Sequence, residues 1–584
     1  MTFEDTSFWK AFTLRKDLGI FQSNALSLFA LQLKFGIEDI SLVGLTSITE
    51  GSDDKKADMV YIDPEAGYAV IIQSYMSEKH RDEAPANKAS DLNTAVSWLL
   101  SPHIDTLPLS IKSHAKELRS SIESGDIQTL YIWYVHNLPE SKNVKNELKT
   151  VEITALAAIK SILSGGGNIE VQSLEVGVST IEELYTSIST PILVTDEFSI
   201  QIEGGFRIRN TTWEAFVTSI PARWLYELFH KYGTKLFSAN VRDYLGSRNV
   251  DKNINYGIKE TAKDNPSHFW VYNNGITALV NDFVVRKEGD NTLIILNGIS
   301  IVNGAQTTGA IGNLEDLPDE DALVQVRFIT CTDTNTLQNI VKYNNSQNKI
   351  TAPDFRSKDG VQRRLLDEFK DIPNIEYLPR RGGHQDIIQR KQNTLPSITA
   401  GQALAAFHKD PYVAYNEKTH IWESDSLYSK YFNEQTTAKH IMLACSLLRT
   451  VENKKLFLMN KSKIETLTGF EGDQLSFFRE RGSILLLTSA ISRSLEIFLN
   501  QPTPNLFSIS FKENISMEKG MEIWAPIVEI SSSFTSHLLT GMSDGLKNRT
   551  NVESAIKTFQ GLISSTKDAN SKIYSTLAKE VVVG

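Results

Sequence analysis

The sequence predicts an α/β protein of several domains that ends in a mainly helical region. Three observations carry this: the length, an alternation of strand-like with helix-like runs up to about residue 400, and the loss of strand signals beyond it. A chain of 584 residues exceeds what a single hydrophobic core usually supports. Hydrophobic residues at 41% and charged residues at 22% are ordinary for globular domains, which excludes a disordered, collagen-like or coiled-coil chain.

Taken in order, Phe21 to Gly36 spaces its apolar residues as one face of a helix. The runs KADMVYID and YAVIIQSYM read as strands joined by the turn signal Pro64-Glu65-Ala66-Gly67, and Ala86 to Leu100 reads as a helix. TLYIWYVHNL then predicts a buried strand, VKNELKTVEITALAAIKSIL an amphipathic helix and NIEVQSLEVGV a further strand. This layer takes residues 1–190, and Gly165-Gly166-Gly167 within it is a turn, since no Gly-Lys-Ser/Thr follows. A second, mixed α/β domain is expected over 191–400, with strands at PILVTDEFSI, HFWVYNNG, ITALVNDFVV, TLIILNG, ISIVNG and ALVQVRFITC. Residues 401–584 carry helical periodicity, as in AKHIMLACSLLRTV and QLSFFRERGSILLLTSAISRSLEIFL, and form the helical domain. No segment repeats at a fixed period.

Met1 to Lys10 lacks the apolar core of a signal peptide, and apolar runs such as Ile484 to Leu487 are too short to span lipid, so a cytoplasmic protein without membrane contact is expected. Cys331 and Cys445 are far apart and the histidines form no close pair, which indicates neither a disulfide framework nor zinc. A net charge of -10 makes any nucleic-acid contact local. The densest basic stretch, from Arg356 to Lys391, includes Lys358, Arg363, Arg364, Arg380, Arg381 and Arg390. Its interspersed acids make it read as a solvated helix face followed by a loop.

Three central clusters are polar where a buried strand would be apolar: Asn240-Val241-Arg242, Phe269-Trp270-Val271-Tyr272-Asn273-Asn274-Gly275-Ile276-Thr277 and Val302-Asn303-Gly304-Ala305-Gln306-Thr307-Thr308. Their order and gaps resemble the bacterial abortive-infection phage-resistance (AIPR) family, with weaker continuations in YLPRRGG, around Ala403 and Ala406, and in LYSKYF. The resemblance is specific from about Asn240 to Phe432 and implies a role in arresting phage propagation. Asn273, Asn274 and Gly275 also suit a plain hairpin turn, because Asn and Gly tolerate positive φ. Val302 to Ile311 is more informative: a strand ending in Asn-Gly and entering a small-residue helix would aim backbone N–H groups at an anion.

The same segment resembles the D-G-Q-(Q/H)-R box of the ParB/sulfiredoxin-like superfamily, and Asn345 to Asp354, with Gln347 and Lys349, resembles the Asn-rich second box of ParB proteins. That resemblance implies binding of a nucleoside triphosphate or a nucleic-acid end. Asn303 stands where the box has Asp, Gln306 matches only partly, and Thr307 replaces the phosphate-holding Arg. Phosphate would then fall to backbone amides at Gly304, the Thr307 and Thr308 hydroxyls, and Arg242, Lys349 or Arg356.

At the N-terminal end, helix, strand with Asp58, turn, strand with Gln73-Ser74-Tyr75 and helix is similar in order to the core of PD-(D/E)xK nucleases. That resemblance implies phosphodiester hydrolysis with Asp58 and Gln73 holding Mg²⁺ and a lysine two residues on. Strand alternation puts residues 73 and 75 on one face. Tyr75 departs from the pattern, since a phenol with its ordinary pKa near 10 carries no charge at pH 7. Lys79 stands as the candidate catalytic lysine, with Lys88 as its alternative and Glu50 as a further carboxylate. The helix from Phe21 to Gly36 offers no acid. Weak or absent cleavage is therefore expected, with recognition of a nucleotide or nucleic acid by the central domain as the leading reading. A Mg²⁺-dependent nuclease and a non-enzymatic scaffold of a defence complex are the alternatives. A phage component or another defence protein is the implied partner, and oligomerisation stays open.

Overall fold

The computed structural model describes residues 3–49, 53–101, 103–163, 169–189, 192–240, 260–289, 291–314, 316–345, 356–380, 387–388 and 393–584. They fall into two compact units. The smaller comprises Met1–Leu14, Leu33–Phe35 and Gly177–Ile350, and the larger Arg15–Gln32, Gly36–Val176 and Thr351–Gly584. The N-terminal α/β layer and the C-terminal helices thus belong to one unit.

The helix α1 (Ala25–Phe35), whose residues up to Gln32 belong to the larger unit, ends at Gly36, whose φ of 61° lets its N–H return to the Gln32 carbonyl. Strands β1 (Met59–Asp63), β2 (Tyr68–Tyr75), β3 (Thr129–His136) and β4 (Glu170–Val176) form a sheet in that order, β1 antiparallel to β2 and the rest parallel. The predicted turn between β1 and β2 is present, with Gly67 at positive φ. Helices α2 (Ala86–Leu100), α3 (Leu109–Glu123) and α4 (Lys142–Ile162) are amphipathic. Leu92, Val96 and Leu99, with Val144, Leu148 and Val151, pack on Val60, Ile71, Leu130 and Ile132 of one sheet face. β3 is buried along its whole length, as its uninterrupted apolar run requires.

The rest of this unit is built on long helices, among them Ala438–Ile464, Ser483–Arg493, Met517–Ser532 and Arg549–Ser565. Leu443, Leu447, Leu487, Ile491, Trp524 and Ile527 are buried at their contacts, and the Trp524 indole N–H is satisfied by the Leu443 carbonyl at 3.1 Å.

The smaller unit is a mixed sheet of β5 (Val194–Ile202), β6 (Gly205–Arg209), β7 (Trp213–Pro221), β8 (Ile276–Leu279), β9 (Asp282–Glu288), β10 (Asn291–Asn303) and β11 (Leu323–Cys331), ordered β5-β10-β8-β11-β7-β6 with β9 also on β10. Only β8 and β11 run parallel. One face is covered by Leu225 and Leu228 of α5 (Ala222–Tyr232) and by Ala305 and Ile311 of α6 (Ala305–Gly312). Part of the other lies under Leu337, Ile340 and Val341 of α7 (Thr334–Asn345).

Four details differ from the sequence reading. ITALVNDFVV is two strands, β8 and β9, each pairing with β10. HFWVYNNG is not a strand: Phe269–Tyr272 makes one helical turn that buries Phe269 and exposes Trp270, Val271 and Tyr272. Four consecutive large apolar residues mimic a strand when only one of them is core. TLIILNG and ISIVNG are one strand, β10, whose register slips between Asn297 and Ile299 at Gly298, a glycine at φ 67°. β6 and β7 complete the sheet where no strand was expected.

Candidate functional site

Asp58 immediately precedes β1, and its N–H already pairs with the Ile72 carbonyl at 3.0 Å, so it shares a sheet face with Gln73. Its Oδ2 accepts from Gln73 Nε2 and from the Ser74 N–H, each at 2.6 Å. Gln73 is buried, and its Oε1 has no hydrogen-bond partner. Ser74 Oγ meets Ser27 Oγ at 2.7 Å and Asn24 Oδ1 at 3.0 Å, so the α1 region contributes neutral polar groups where an acid was sought. Burial pushes the Asp58 carboxyl up to about 6, and Asp54 adds to the rise. The Ser74 N–H and the charges of Lys88 and Lys56 oppose it.

Lys88 opens α2 and lies 3.7 Å from Asp91, as does Lys56, so two ammonium groups flank the site with one carboxylate between them. Tyr75 is half-buried, in register with His136 of β3. Lys79 is exposed, and its backbone is tied to Ser77. The lysines whose charge reaches Asp58 are therefore Lys88 and Lys56, and only the first was considered from sequence. Glu50 lies outside the described residues.

Mg²⁺ takes hard oxygens and keeps several waters, so one carboxylate and one amide oxygen are a sufficient protein share. Asp58 and the unpartnered Gln73 Oε1 match that donor chemistry. Among the described residues no cluster of three or more His, Cys, Asp or Glu has metal-binding geometry.

In the smaller unit the two central motifs meet. β10 ends at Asn303, Gly304 turns the chain at φ 90°, and α6 begins, as the sequence predicts. Asn273 Oδ1 accepts both the Gly275 N–H at 2.9 Å and the Thr307 hydroxyl at 3.2 Å, and the buried Thr308 hydroxyl donates to the Gly304 carbonyl at 3.0 Å. These three side chains clamp the turn itself. Asn274 is exposed and Gln306 half-buried. A Cβ at Gly304 would lie 2.5 Å from Ile276 Cγ2 and 2.9 Å from the Gly275 carbonyl, so the glycine serves contact between the two motifs. Gly304→Ala should therefore cost roughly 2–4 kcal/mol from strained φ plus overpacking, read as a lower urea midpoint with no ligand present.

One cation the sequence reading missed lies beside these motifs. Arg327 on β11 donates from Nε and Nη2 to Thr277 Oγ1, at 3.1 and 2.7 Å, and from Nη2 to Asn344 Oδ1 at 3.1 Å. No local motif marks it; only the parallel pairing of β8 with β11 does. Arg242 and Gln347, like Lys349, fall outside the described residues, as does the side chain of Asn345. Arg356 belongs to the larger unit, where it pairs with Asp425, stacks 4.6 Å from the Tyr428 ring centre and donates to the Trp422 carbonyl. Arg364, from the same basic stretch, is held by Glu368 and by the Asn433 and Thr436 carbonyls.

A family model described as AIPR protein matches residues 237–578. This chain belongs to the AIPR family. No curated protein and no solved structure matches the chain. The AIPR match takes in both clamped motifs and most of the C-terminal helices, so it reaches well past Phe432, and the layer bearing Asp58 precedes it. AIPR membership implies abortive infection, a defence against phage. No helix among the described residues is long and apolar enough to cross a membrane.

Proposed function

We propose that this AIPR protein acts in anti-phage defence on nucleic acid, as a phosphodiesterase dependent on a divalent cation, with Asp58 and Gln73 as the cation's protein ligands. The observation that carries the reading is the unpartnered, buried Gln73 Oε1 beside a carboxyl that burial holds near pH 6. A buried amide oxygen left without a partner costs about 1–3 kcal/mol, and perturbed carboxyls concentrate at functional sites. Bound Mg²⁺ would polarise the phosphodiester and acidify a water. Lys88 and Lys56 supply the positive charge that Tyr75 lacks, drawing a phosphate oxygen toward Asp58 and countering charge that develops on it. Ser74 N–H and Gln73 Nε2 orient the carboxylate.

Two results test this. Full-length protein incubated with single-stranded and duplex DNA and RNA is expected to cleave with Mg²⁺ and not with EDTA, and Lys88→Ala should slow cleavage by about 10²-fold. Because the cation needs ionised Asp58, its affinity should fall about fivefold between pH 6 and pH 5, measured calorimetrically with Mg²⁺ or Mn²⁺ alone. Affinity independent of pH across that window would remove Asp58 from the site.

A second reading has its own observation. The exposed Arg327, fixed against Thr277 beside Asn303, favours recognition of a nucleotide or nucleic acid by the smaller unit. The Thr307 and Thr308 hydroxyls are committed within the turn, so backbone amides of α6 and the Arg327 guanidinium are the groups left to hold phosphate.

A further inference from the structure

Strand register lines up residues that no sequence motif joins. Phe206 of β6 pairs with Val217 of β7, Val217 with Arg327 of β11, Arg327 with Thr277 of β8, and Thr277 with Asn303 of β10. Paired residues project to the same side of a sheet, so these five make one row across five strands on one face. The next row toward one end of the sheet is Ser219 and Gln325, and Trp270 reaches over it with its indole N–H on Ser219 Oγ at 2.8 Å. The row on the other side, with Ala215, Ile329 and Leu279, lies under α7. Half of this face is therefore core and half is open: Phe206 is 59% exposed, Trp270 43%, and Arg327 is exposed.

We infer that this open half-face is a stacking platform for single-stranded nucleic acid, in which Phe206 and Trp270 take base faces and Arg327 takes the backbone phosphate between them. The inference rests on the recognition reading given for the smaller unit and is independent of cleavage at Asp58. Charge selects the occupant. Among the side chains that β6, β7, β8 and β11 direct to this face, Arg327 is the single charged group, with no carboxylate, whereas Glu214, which pairs with Arg207 and Arg209, projects to the opposite face. In a molecule of net charge -10, a face with two exposed rings, one oriented guanidinium and amide side chains suits a flexible polyanion carrying flat apolar groups. Its hydrogen bonds to Thr277 and Asn344 engage Nε and Nη2 of Arg327, leaving Nη1 for phosphate. Duplex would hide its base faces and gain nothing from the rings.

The test is fluorescence anisotropy of the full-length chain in EDTA, with labelled oligo-dT, oligo-rU and a duplex of the same length. Single strands should bind and the duplex should bind at least tenfold more weakly. Trp270→Ala, Phe206→Ser and Arg327→Ala should each weaken single-strand binding about tenfold, while Arg209→Ala, on the opposite face, should bind as the parent does. Phe206→Ser removes an exposed ring and keeps a folded control available should Arg327→Ala disturb the Thr277 contact. Binding that is unchanged in all three variants, or tighter for duplex, overturns the platform while leaving nucleic-acid recognition elsewhere on the chain. Absence of any oligonucleotide binding overturns both. Concentration-dependent dimerisation in sedimentation, abolished by Phe206→Ser, would assign the face to a second copy of the chain and also overturn the platform.

Discussion

Replacing Arg481 with alanine should lower the unfolding free energy by about 3–5 kcal/mol, the range for removing one partner of a buried charge pair. Arg481 lies between two helices of the larger unit and is 8% exposed. Its Nε donates to Glu117 Oε2 at 2.6 Å and to the Tyr415 hydroxyl at 3.0 Å, and Tyr415 itself donates to the same Glu117 oxygen at 2.6 Å. Nη1 reaches the Thr46 and Val60 carbonyls and Nη2 the Ile62 carbonyl, at 3.3 to 3.4 Å. β1 is the edge of its sheet, so Val60 and Ile62 present outward carbonyls that no strand pairs, and the guanidinium supplies the missing donors. Alanine would leave Glu117 as an uncompensated charge and strand these carbonyls. Urea unfolding measures the loss, and a change below about 1 kcal/mol would show that water replaces the guanidinium freely.

The second large effect is at Asp58. Asp58→Asn keeps an oxygen to accept from Ser74 and Gln73 and removes the charge, so cleavage should fall at least 10³-fold while the fold survives. Stability should move the other way. The folded carboxyl titrates near 6 against an ordinary value of 3.8, so wild-type protein binds the proton more tightly folded than unfolded. The stability that this proton contributes is complete below pH 3.8 and is lost as pH rises through about 6. At pH 7.5, in EDTA, the asparagine variant should be the more stable by roughly 1–2 kcal/mol, a figure reduced from the full shift for partial solvent access. The difference should vanish near pH 4. Thermal unfolding at the two pH values reads both.

The fold was legible where one force dominated. β3 is buried on both faces and reads as a continuous apolar run, and α2 and α4 show unbroken helical spacing, so their sequence-based bounds agree with the structure to within a few residues. α3 was passed over although Ile111, Ala115, Leu118 and Ile122 recur at helical spacing, because serines and charges between them dilute the apolar signal. β6 was illegible for the opposite reason: all five residues are exposed, and Phe206, Arg207, Ile208 and Arg209 alternate without any buried face. Pairing with β7, not burial, makes it a strand.

Of the candidate sites, Asp58 with Gln73 was visible because the order of helix, strand, turn, strand and helix resembles the core of PD-(D/E)xK nucleases, and the strand–Gly304–helix turn was visible from its small residues. Lys56 and Arg327 were not: Lys56 stands two residues before Asp58 but in a turn at positive φ, where strand alternation says nothing of its direction, and Arg327 reaches its site through the pairing of β11 with β8. A turn was one of the two sequence readings of Asn273, while the roles of Thr307 and Thr308 were hidden. Their residue types suit a ligand, and only the hydrogen bonds show that they clamp a turn.

The most direct test of the central claim is Mg²⁺-dependent cleavage by purified full-length protein, compared with Asp58→Asn under the same conditions. The expected result is cleavage products that require Mg²⁺, disappear with EDTA and are absent from the variant, whose melting temperature at pH 7.5 in EDTA is at least that of the parent. Equal cleavage by parent and variant would place the chemistry elsewhere. No cleavage of any DNA or RNA by the parent at millimolar Mg²⁺ would contradict the claim outright.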